Sequence, residues 1–380
     1  MKTFRTTRRM MITSTALATL ALSTVAVTTA NADPSEKKPW KGITTTVVDF
    51  GAYTSDVVEN PEDSEDRDPT VNATNNTLAV SPDEKFAVAT NSYSDRLVVI
   101  HLESGVKIWE IKGYVSPRNI VFAPDSKSFT VSDSARGVVD RISTTSFQVT
   151  KRLPLGAGVF GTSQSPDGKT LYANNAAADT VTVVDQANNR PVDVITGFHE
   201  PRQGTKVSHD GKTLYVTNYN KGDSKLSIVD LTNPAHPKTE LDGFHGLRAI
   251  SVDSAGDRLY AANSANDTIS VVDLHDTTDR ESIQVGDMPY GAALSPDGTV
   301  LLTGNKADNT LTAVKITHEN GKITHTVLGT IAGSGKNYLK APRQAISFSN
   351  DSKTAYVLNE DLTIAQVDIA TRTVTKVLGR

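Results

Sequence analysis

One eleven-residue motif occurs seven times, and no other feature of the sequence restricts its fold as strongly. The clearest copies are SPDGKTLYANN (165–175), SHDGKTLYVTN (208–218) and SPDGTVLLTGN (295–305), and weaker copies begin at residues 81, 123, 253 and 349. Successive copies are 42, 42, 43, 45, 42 and 54 residues apart. A period of about 40–45 residues built of strand patterns is typical of a propeller blade of four antiparallel strands. The sequence therefore predicts an all-β protein, a seven-bladed β-propeller over residues 75–380.

Each copy predicts an inner strand, a tight turn and a second strand. Pro presets φ in the turn and Gly accepts a positive φ. A short side chain that bonds the backbone of the next turn explains why every second strand ends on Asn or Asp. These seven residues are Asn91, Asp133, Asn175, Asn218, Asn263, Asn305 and Asn359. Residues 373–377 supply the outer strand of blade 7, so every blade is expected to be complete.

The stretch YVTN at 215–218, directly after the DGK turn at 210–212, resembles the signature of YVTN-repeat β-propellers. That group belongs with the lactonase-like and cytochrome-d1-like propellers, and the resemblance covers residues 75–380. It implies the seven-bladed fold. It does not imply one activity, because the group contains binding proteins, surface proteins and enzymes.

Residues 1–32 have the order of a secretory signal peptide. Lys2, Arg5, Arg8 and Arg9 precede an apolar run over 10–27, and Ala30-Asn31-Ala32 places small residues at a cleavage site. We predict cleavage after Ala32 and a secreted or periplasmic protein with no membrane span after cleavage. Both general secretion and twin-arginine export remain open, because Arg8 and Arg9 are adjacent.

Composition excludes several classes of function. The chain has no cysteine, which excludes disulfide scaffolds, Cys-based metal sites and thiol catalysis. Without the predicted signal, 35 basic side chains stand against 43 acidic ones. This acidic balance argues against nucleic acid as a partner. We expect a monomer without a cofactor.

Residues 33–74 form a lead-in to the propeller. The segment 43–48 is a candidate edge strand that helps to close the ring. The acidic loop 59–68 lacks the ligand spacing of a Ca²⁺ loop, so a solvated loop is the preferred interpretation.

The connections that enter the inner strands converge at one mouth of the central channel, where propellers usually bind ligands. Aligning them predicts one ring of ligand-binding residues: Arg118, Phe160, Arg202, Arg248, Tyr290 and Arg343. Guanidinium forks on adjacent blades can jointly hold a carboxylate or a phosphate. The alternative is that these arginines pair with neighbouring carboxylates at the surface.

Blades 4 and 5 share a Gly-Phe-His-x-x-Arg frame at 197–202 and 243–248. It brings His199, Glu200 and His245 to the mouth, where they could provide acid–base catalysis while arginines stabilise an oxyanion. Duplication of one blade would copy the same residues without any function. No metal site is predicted, because the spacing of possible ligands is inferred rather than read.

Two hypotheses about function remain open. The first is a binding module for a small anionic ligand, a cell-envelope component or a protein partner. The second is a lactonase-type hydrolase or isomerase, by resemblance to that group, with His199 and His245 as acid–base residues. The stretch GSGK at 333–336 lacks the spacing of a phosphate-binding loop, and we predict a flexible loop there.

Overall fold

In the part of the chain that the structure describes, the regular secondary structure consists of twenty-eight β-strands. The computed structural model describes residues 77–91, 93–220, 222–340 and 345–380. The strands form seven antiparallel sheets of four, each in chain order. The predicted all-β, seven-bladed propeller is confirmed. The predicted signal peptide (1–32), the lead-in (33–74), its candidate edge strand (43–48) and its acidic loop (59–68) lie outside the described residues.

The strands of blades 1 to 4 are β1 (Thr77–Val80), β2 (Phe86–Thr90), β3 (Arg96–His101), β4 (Val106–Lys112), β5 (Pro117–Phe122), β6 (Ser128–Asp133), β7 (Val138–Ser143), β8 (Val149–Pro154), β9 (Val159–Gln164), β10 (Thr170–Asn175), β11 (Thr180–Asp185), β12 (Arg190–Ile195), β13 (Pro201–Val207), β14 (Thr213–Asn218), β15 (Ser224–Asp230) and β16 (Lys238–Phe244). The strands of blades 5 to 7 are β17 (Leu247–Val252), β18 (Arg258–Asn263), β19 (Thr268–Asp273), β20 (Arg280–Gln284), β21 (Ala293–Leu294), β22 (Val300–Asn305), β23 (Thr310–Glu319), β24 (Lys322–Ala332), β25 (Ile346–Phe348), β26 (Thr354–Leu358), β27 (Ile364–Asp368) and β28 (Thr373–Leu378).

The repeated Ser-x-Asp-Gly turn joins the inner strand to the second strand. In blade 3, Ser165 Oγ donates to Asp167 Oδ1 at 2.7 Å and accepts the backbone N–H of Thr170 at 3.0 Å. Gly168 has φ +70°, a conformation that costs glycine little. Both hydrogen bonds lie within the turn itself, so the same motif can repeat at each blade.

The Asn or Asp that ends each second strand is buried in every blade, but its bonds differ between blades. In blades 1 to 3 the side-chain oxygen accepts N–H groups of the following turn, as predicted; Asn175 Oδ1 accepts from Ala177 and Ala178 at 3.1 and 3.0 Å. In blades 4 to 7 the amide donates instead to a Ser or Thr hydroxyl, as Asn218 does to Ser227 Oγ at 2.7 Å. The prediction was therefore wrong for those four blades, where a hydroxyl is within reach of the amide.

The core lies between neighbouring sheets, whose apolar faces pack together around the ring. The last junction joins blade 7 to blade 1 through a cluster that includes Leu78, Ile100, Leu358 and Leu378. Among the described residues, the sheets of blade 7 and blade 1 are built from two separate sets of four strands. Polar bonds cross the junction, including Asn91 Nδ2 to the Glu360 carbonyl at 3.0 Å, Asn350 N to Glu84 Oε1 at 2.6 Å and Gly379 N to the Gly105 carbonyl at 2.9 Å. Side-by-side packing therefore closes the described part of the ring.

The longest interval between copies lengthens both a hairpin and the connection after it. Strands β23 and β24 have 10 and 11 residues and remain paired up to Glu319 and Lys322. The stretch 333–336 lies in the connection between β24 and β25, where Ser334 and Asn337 exchange N–H···O bonds of 2.8 and 2.9 Å. Its position outside the strands agrees with the sequence, and its flexibility stays a prediction.

Candidate functional site

Five of the residues predicted to line the mouth occupy one position in five consecutive blades. In each of blades 2 to 6, the residue that directly precedes the predicted one pairs with the Asn or Asp at the end of the second strand. These pairs are Pro117–Asp133, Val159–Asn175, Pro201–Asn218, Leu247–Asn263 and Pro289–Asn305. The register places Arg118, Phe160, Arg202, Arg248 and Tyr290 at the same level around the channel. Arg343, the sixth predicted residue, lies outside the described residues.

Cationic and aromatic side chains alternate at this level. The guanidinium carbon of Arg118 lies 4.4 Å from the ring centroid of Phe160, and that of Arg202 lies 5.7 Å from the same centroid. Arg202 and Arg248 lie 4.9 and 4.1 Å from the ring centroid of Tyr219. Because both distances end at one centroid, the two guanidinium carbons are no more than 9.0 Å apart.

The alternation continues into blade 6. Arg248 lies 4.8 Å from the ring centroid of Tyr290, and Lys306 Nζ lies 5.5 Å from it on the same blade. We call the whole set the cation–aromatic arc. Its members are Arg118, Phe160, Arg202, Tyr219, Arg248, Tyr290 and Lys306. Stacking on an aromatic face attracts a cation through the ring quadrupole and holds the guanidinium plane in one orientation.

A hairpin serine fixes the arginine in blades 2 and 5. Arg118 Nε donates to Ser134 Oγ at 2.8 Å, and Arg248 Nε donates to Ser264 Oγ at 3.3 Å. Each serine directly follows the residue that ends the second strand. In blade 4 the same place is occupied by Tyr219, whose hydroxyl accepts a bond from Arg248 Nη2 at 2.8 Å. Blade 4 therefore holds the arginine of the next blade as well as its own.

Burial separates the arc into supporting and accessible members. Arg118 is 1% exposed, and Phe160 and Tyr290 are equally covered. The Arg202 side chain is 14% exposed. Arg248 is 5% exposed and lines a cavity of about 560 Å³ that the inner strands of all seven blades enclose. Arg202 is therefore the most exposed of these arginines, and Arg248 is the one that lines the channel cavity.

Of the predicted acid–base residues, Glu200 contacts the arc. Its Oε2 lies 3.2 Å from Arg202 Nη2, and its side chain is 59% exposed. Glu200 has φ 49° and its N–H donates to Asp179 Oδ1 at 2.7 Å, which holds the loop before β13 in place. His199, directly before it, is exposed.

His245 is exposed and lies in the loop before β17, three residues before Arg248. Its Nδ1 is 3.1 Å from the carbonyl oxygen of Gly222. A carbonyl can only accept, so Nδ1 donates this bond, and in the neutral ring Nε2 carries the lone pair. In the neutral ring, Nε2 is therefore the nitrogen that can accept a proton.

Sequence reasoning missed Tyr219 and Lys306. Both directly follow the Asn that ends a second strand, whereas the residue at this place is Ser134, Ala176 or Ser264 in blades 2, 3 and 5. In blade 7 the same place is occupied by Glu360. An aromatic or basic side chain at this place, in Tyr219 and Lys306 alone, was the signal available in the sequence.

Two absences concern only the part of the chain that the structure describes. Within it, no group of three or more His, Asp and Glu side chains is arranged to hold a metal ion. Over the same residues, no helix is long and apolar enough to cross a membrane.

A family model described as Lactonase, 7-bladed beta-propeller matches residues 210–339. The chain resembles the lactonase propellers. The matched segment contains Tyr219, His245 and Arg248 but neither His199 nor Arg202. A comparison with curated proteins gives no match.

Similar solved structures agree with the fold. Hydrazine synthase of Kuenenia stuttgartiensis aligns with a TM-score of 0.67 at 17% identity, covering 77% of this chain and 95% of that one. A functionally unknown protein from Desulfotomaculum acetoxidans aligns with a TM-score of 0.62 at 12% identity, covering 78% and 94%. At such identities the likeness shows the fold alone.

Proposed function

We propose that the protein binds a small organic anion at the channel mouth, and that Arg202 and Arg248 contact it. The observation that carries this proposal is the position of both guanidinium groups beside the ring of Tyr219, with their carbons no more than 9.0 Å apart. A carboxylate or phosphate that accepts N–H···O bonds of about 2.8 Å from each fork can bridge such a pair.

The rest of the arc supports these two arginines. Arg118, Phe160 and Tyr290 are almost fully covered, so they position the accessible residues rather than contact a ligand. Arg248 also lines the channel cavity of about 560 Å³, together with apolar residues such as Ile120 and Ile250, and this volume falls within the usual size of small-molecule sites. An organic anion fits this combination better than a bare inorganic one.

Calorimetric titration with a panel of aliphatic carboxylates, aromatic carboxylates and sugar phosphates tests the proposal. Arg202→Gln and Arg248→Gln should each weaken binding of the best ligand by about tenfold or more, since a bond to a charged group contributes about 1.5–3 kcal/mol. Arg190→Gln, on the exposed outer strand of blade 3, removes the same charge far from the mouth and should bind like the wild type. Equal affinity of all three variants, or no binding of any panel member, would overturn the proposal.

Hydrolysis of a lactone is the second candidate function, favoured by the family model over residues 210–339, which contain His245 and Arg248. In this reaction His245 Nε2 takes a proton from water as the oxygen attacks the ring carbonyl. Arg248 stabilises the developing oxyanion, and the ring C–O bond breaks to give a hydroxy acid after the proton returns to the leaving oxygen. His199→Ala and His245→Ala, assayed on a panel of lactones by acid release, test both histidines. A rate that neither substitution changes would exclude them from the reaction.

A further inference from the structure

Lys206 stands out among the residues that line the channel. It lies on β13, the inner strand of blade 4, and its side chain is solvent-accessible within the cavity. The ionisable side chains that line this cavity are those of Lys206 and Arg248, with no carboxylate among the described lining residues. The channel therefore carries positive charge.

The six residues equivalent to Lys206 are all small. Counting two residues back from the start of each turn motif gives Ala79, Val121, Ser163, Ser251, Ala293 and Ser347, and each of them lines the cavity. One long side chain therefore faces a ring of short ones, which leaves space around its amino group. Three of the short side chains are serines. Ser251 Oγ donates to the Ala292 carbonyl, whereas the hydroxyls of Ser163 and Ser347 can donate to an anion.

Ser163 lies directly beside the lysine. The backbone N–H of Val207, the next residue along β13, donates to Ser163 Oγ at 3.1 Å. This bond uses a lone pair of the oxygen and leaves the hydroxyl hydrogen able to turn towards the channel. An amino group and a hydroxyl donor thus meet at the boundary of blades 3 and 4.

Lys206 makes no hydrogen bond or ion pair with any residue that the structure describes. Its side chain is accessible from the channel, and the neighbouring inner strands desolvate it enough to lower the pKa of Lys206. An anion beside the protonated amine would supply the counter-charge that the described lining lacks.

We propose that Lys206 forms a second anion site inside the channel, which takes a small oxyanion, either a phosphate or a carboxylate. Lys206 is four residues beyond Arg202 along β13, and the register shift in this stretch makes their separation shorter than the roughly 13 Å of a regular strand. The cavity that Lys206 lines also includes Arg248 but not Arg202, and the proposal does not rest on the function proposed for the mouth. The small ring residues set its size, and the hydroxyls of Ser163 and Ser347 add neutral donors to the charge of the amine.

Competitive labelling of lysines with acetic anhydride, read by peptide mass spectrometry, tests this site directly. Inorganic phosphate and succinate are the two probes, and they distinguish a phosphate site from a carboxylate site. We expect one of them to reduce labelling of Lys206 severalfold while labelling of Lys169, an exposed lysine in a turn, stays constant. Unchanged labelling of Lys206 with both probes would overturn the proposal, even if the variants below do not fold.

Calorimetric titration of the protective probe then compares three variants. Lys206→Met should weaken binding about tenfold or more, whereas Lys169→Met, which removes the same charge at the surface, should bind like the wild type. Arg202→Gln distinguishes this site from the mouth. If it retains binding while Lys206→Met loses it, the interior site stands, and the reverse result would refute it without affecting the function proposed for the mouth.

Discussion

Arg248 interacts with Tyr219 in two ways, across the boundary between blades 4 and 5. Its guanidinium carbon lies 4.1 Å from the ring centroid, and its Nη2 donates to the tyrosine hydroxyl at 2.8 Å. The same ring lies 4.9 Å from the guanidinium carbon of Arg202. One tyrosine therefore sets the orientation of both arginines that we propose to contact the ligand.

Substitutions of Tyr219 should separate these two contributions. Tyr219→Phe keeps the ring and loses the hydroxyl, so anion affinity should fall about threefold. Tyr219→Ala loses both and should lower it about tenfold or more, since a cation–π contact contributes about 0.5–2 kcal/mol. Titration with the best panel ligand measures both effects. Tyr172→Phe, in the core between blades 3 and 4, is the control, and equal losses in all three variants would indicate a general effect on folding.

Removal of the Glu200 carboxylate should separate binding from catalysis. Because Glu200 lies 3.2 Å from Arg202 and is mostly exposed, Glu200→Gln should strengthen anion binding by about twofold to fivefold, the range of a surface ion pair. If the protein hydrolyses lactones with help from Glu200, the same substitution should lower the turnover. Glu319→Gln, on the exposed tip of the long hairpin, makes the same change of charge and should alter neither quantity. Weaker anion binding in Glu200→Gln would contradict our view of the mouth.

A buried ion pair in blade 2 should be important for stability. Asp140 is 0% exposed and accepts from Arg152 Nε and Nη2, both at 2.7 Å, while the hydroxyl of Tyr114 donates to it at 3.1 Å. Burial and the Asp140 charge raise the pKa of Tyr114 well above its usual value, so this hydroxyl stays a donor. Asp140→Asn should lower the free energy of unfolding in urea by about 3 kcal/mol or more, and Tyr114→Phe by about 1 kcal/mol. Asp242→Asn, on the exposed outer strand β16, is the control, and a loss as large there would show that the pair has no special role.

Acid should weaken the repeated turns. The hydroxyl of Ser165, followed by the backbone N–H of Lys169, holds the pKa of Asp167 at about 2, below the value near 3.9 of an unfolded chain. A folded pKa below the unfolded one means that the contribution to stability is complete above about pH 4 and is lost as the pH falls towards 2. The pKa values of Asp210 and Asp351 are lowered by the equivalent serines first. The thermal midpoint should therefore fall between about pH 4 and pH 2.

Carboxyl chemical shifts in carbon NMR check the cause of this acid sensitivity. Ser165→Ala should raise the pKa of Asp167 towards its ordinary value, because it removes the largest stabilising bond to the carboxylate. Ser146→Ala, in an exposed hairpin of blade 2, should leave the pKa of Asp167 unchanged. A constant pKa in Ser165→Ala would show that the hydroxyl is not the cause.

Much of the mouth could be predicted because a repeat transfers register from one blade to the next. Once the end of each second strand is known, the residue opposite it in the inner strand is known too. In this way the sequence alone brought Arg118, Phe160, Arg202, Arg248 and Tyr290 to one ring. The roles of these residues as ligand contacts, like those of His199, Glu200 and His245, remain predictions.

The sequence by itself determined the number of blades, the strand order and the positions that face the mouth, because these depend on turn residues and on local alternation of side chains. It could not show that the ring of Tyr219 stacks with both Arg202 and Arg248, or that the Tyr219 hydroxyl accepts a bond from Arg248. Those relationships join side chains from different blades, far apart in the chain. They depend on how closely neighbouring sheets pack and on which side chains fill the space between them, and the tertiary structure decided both.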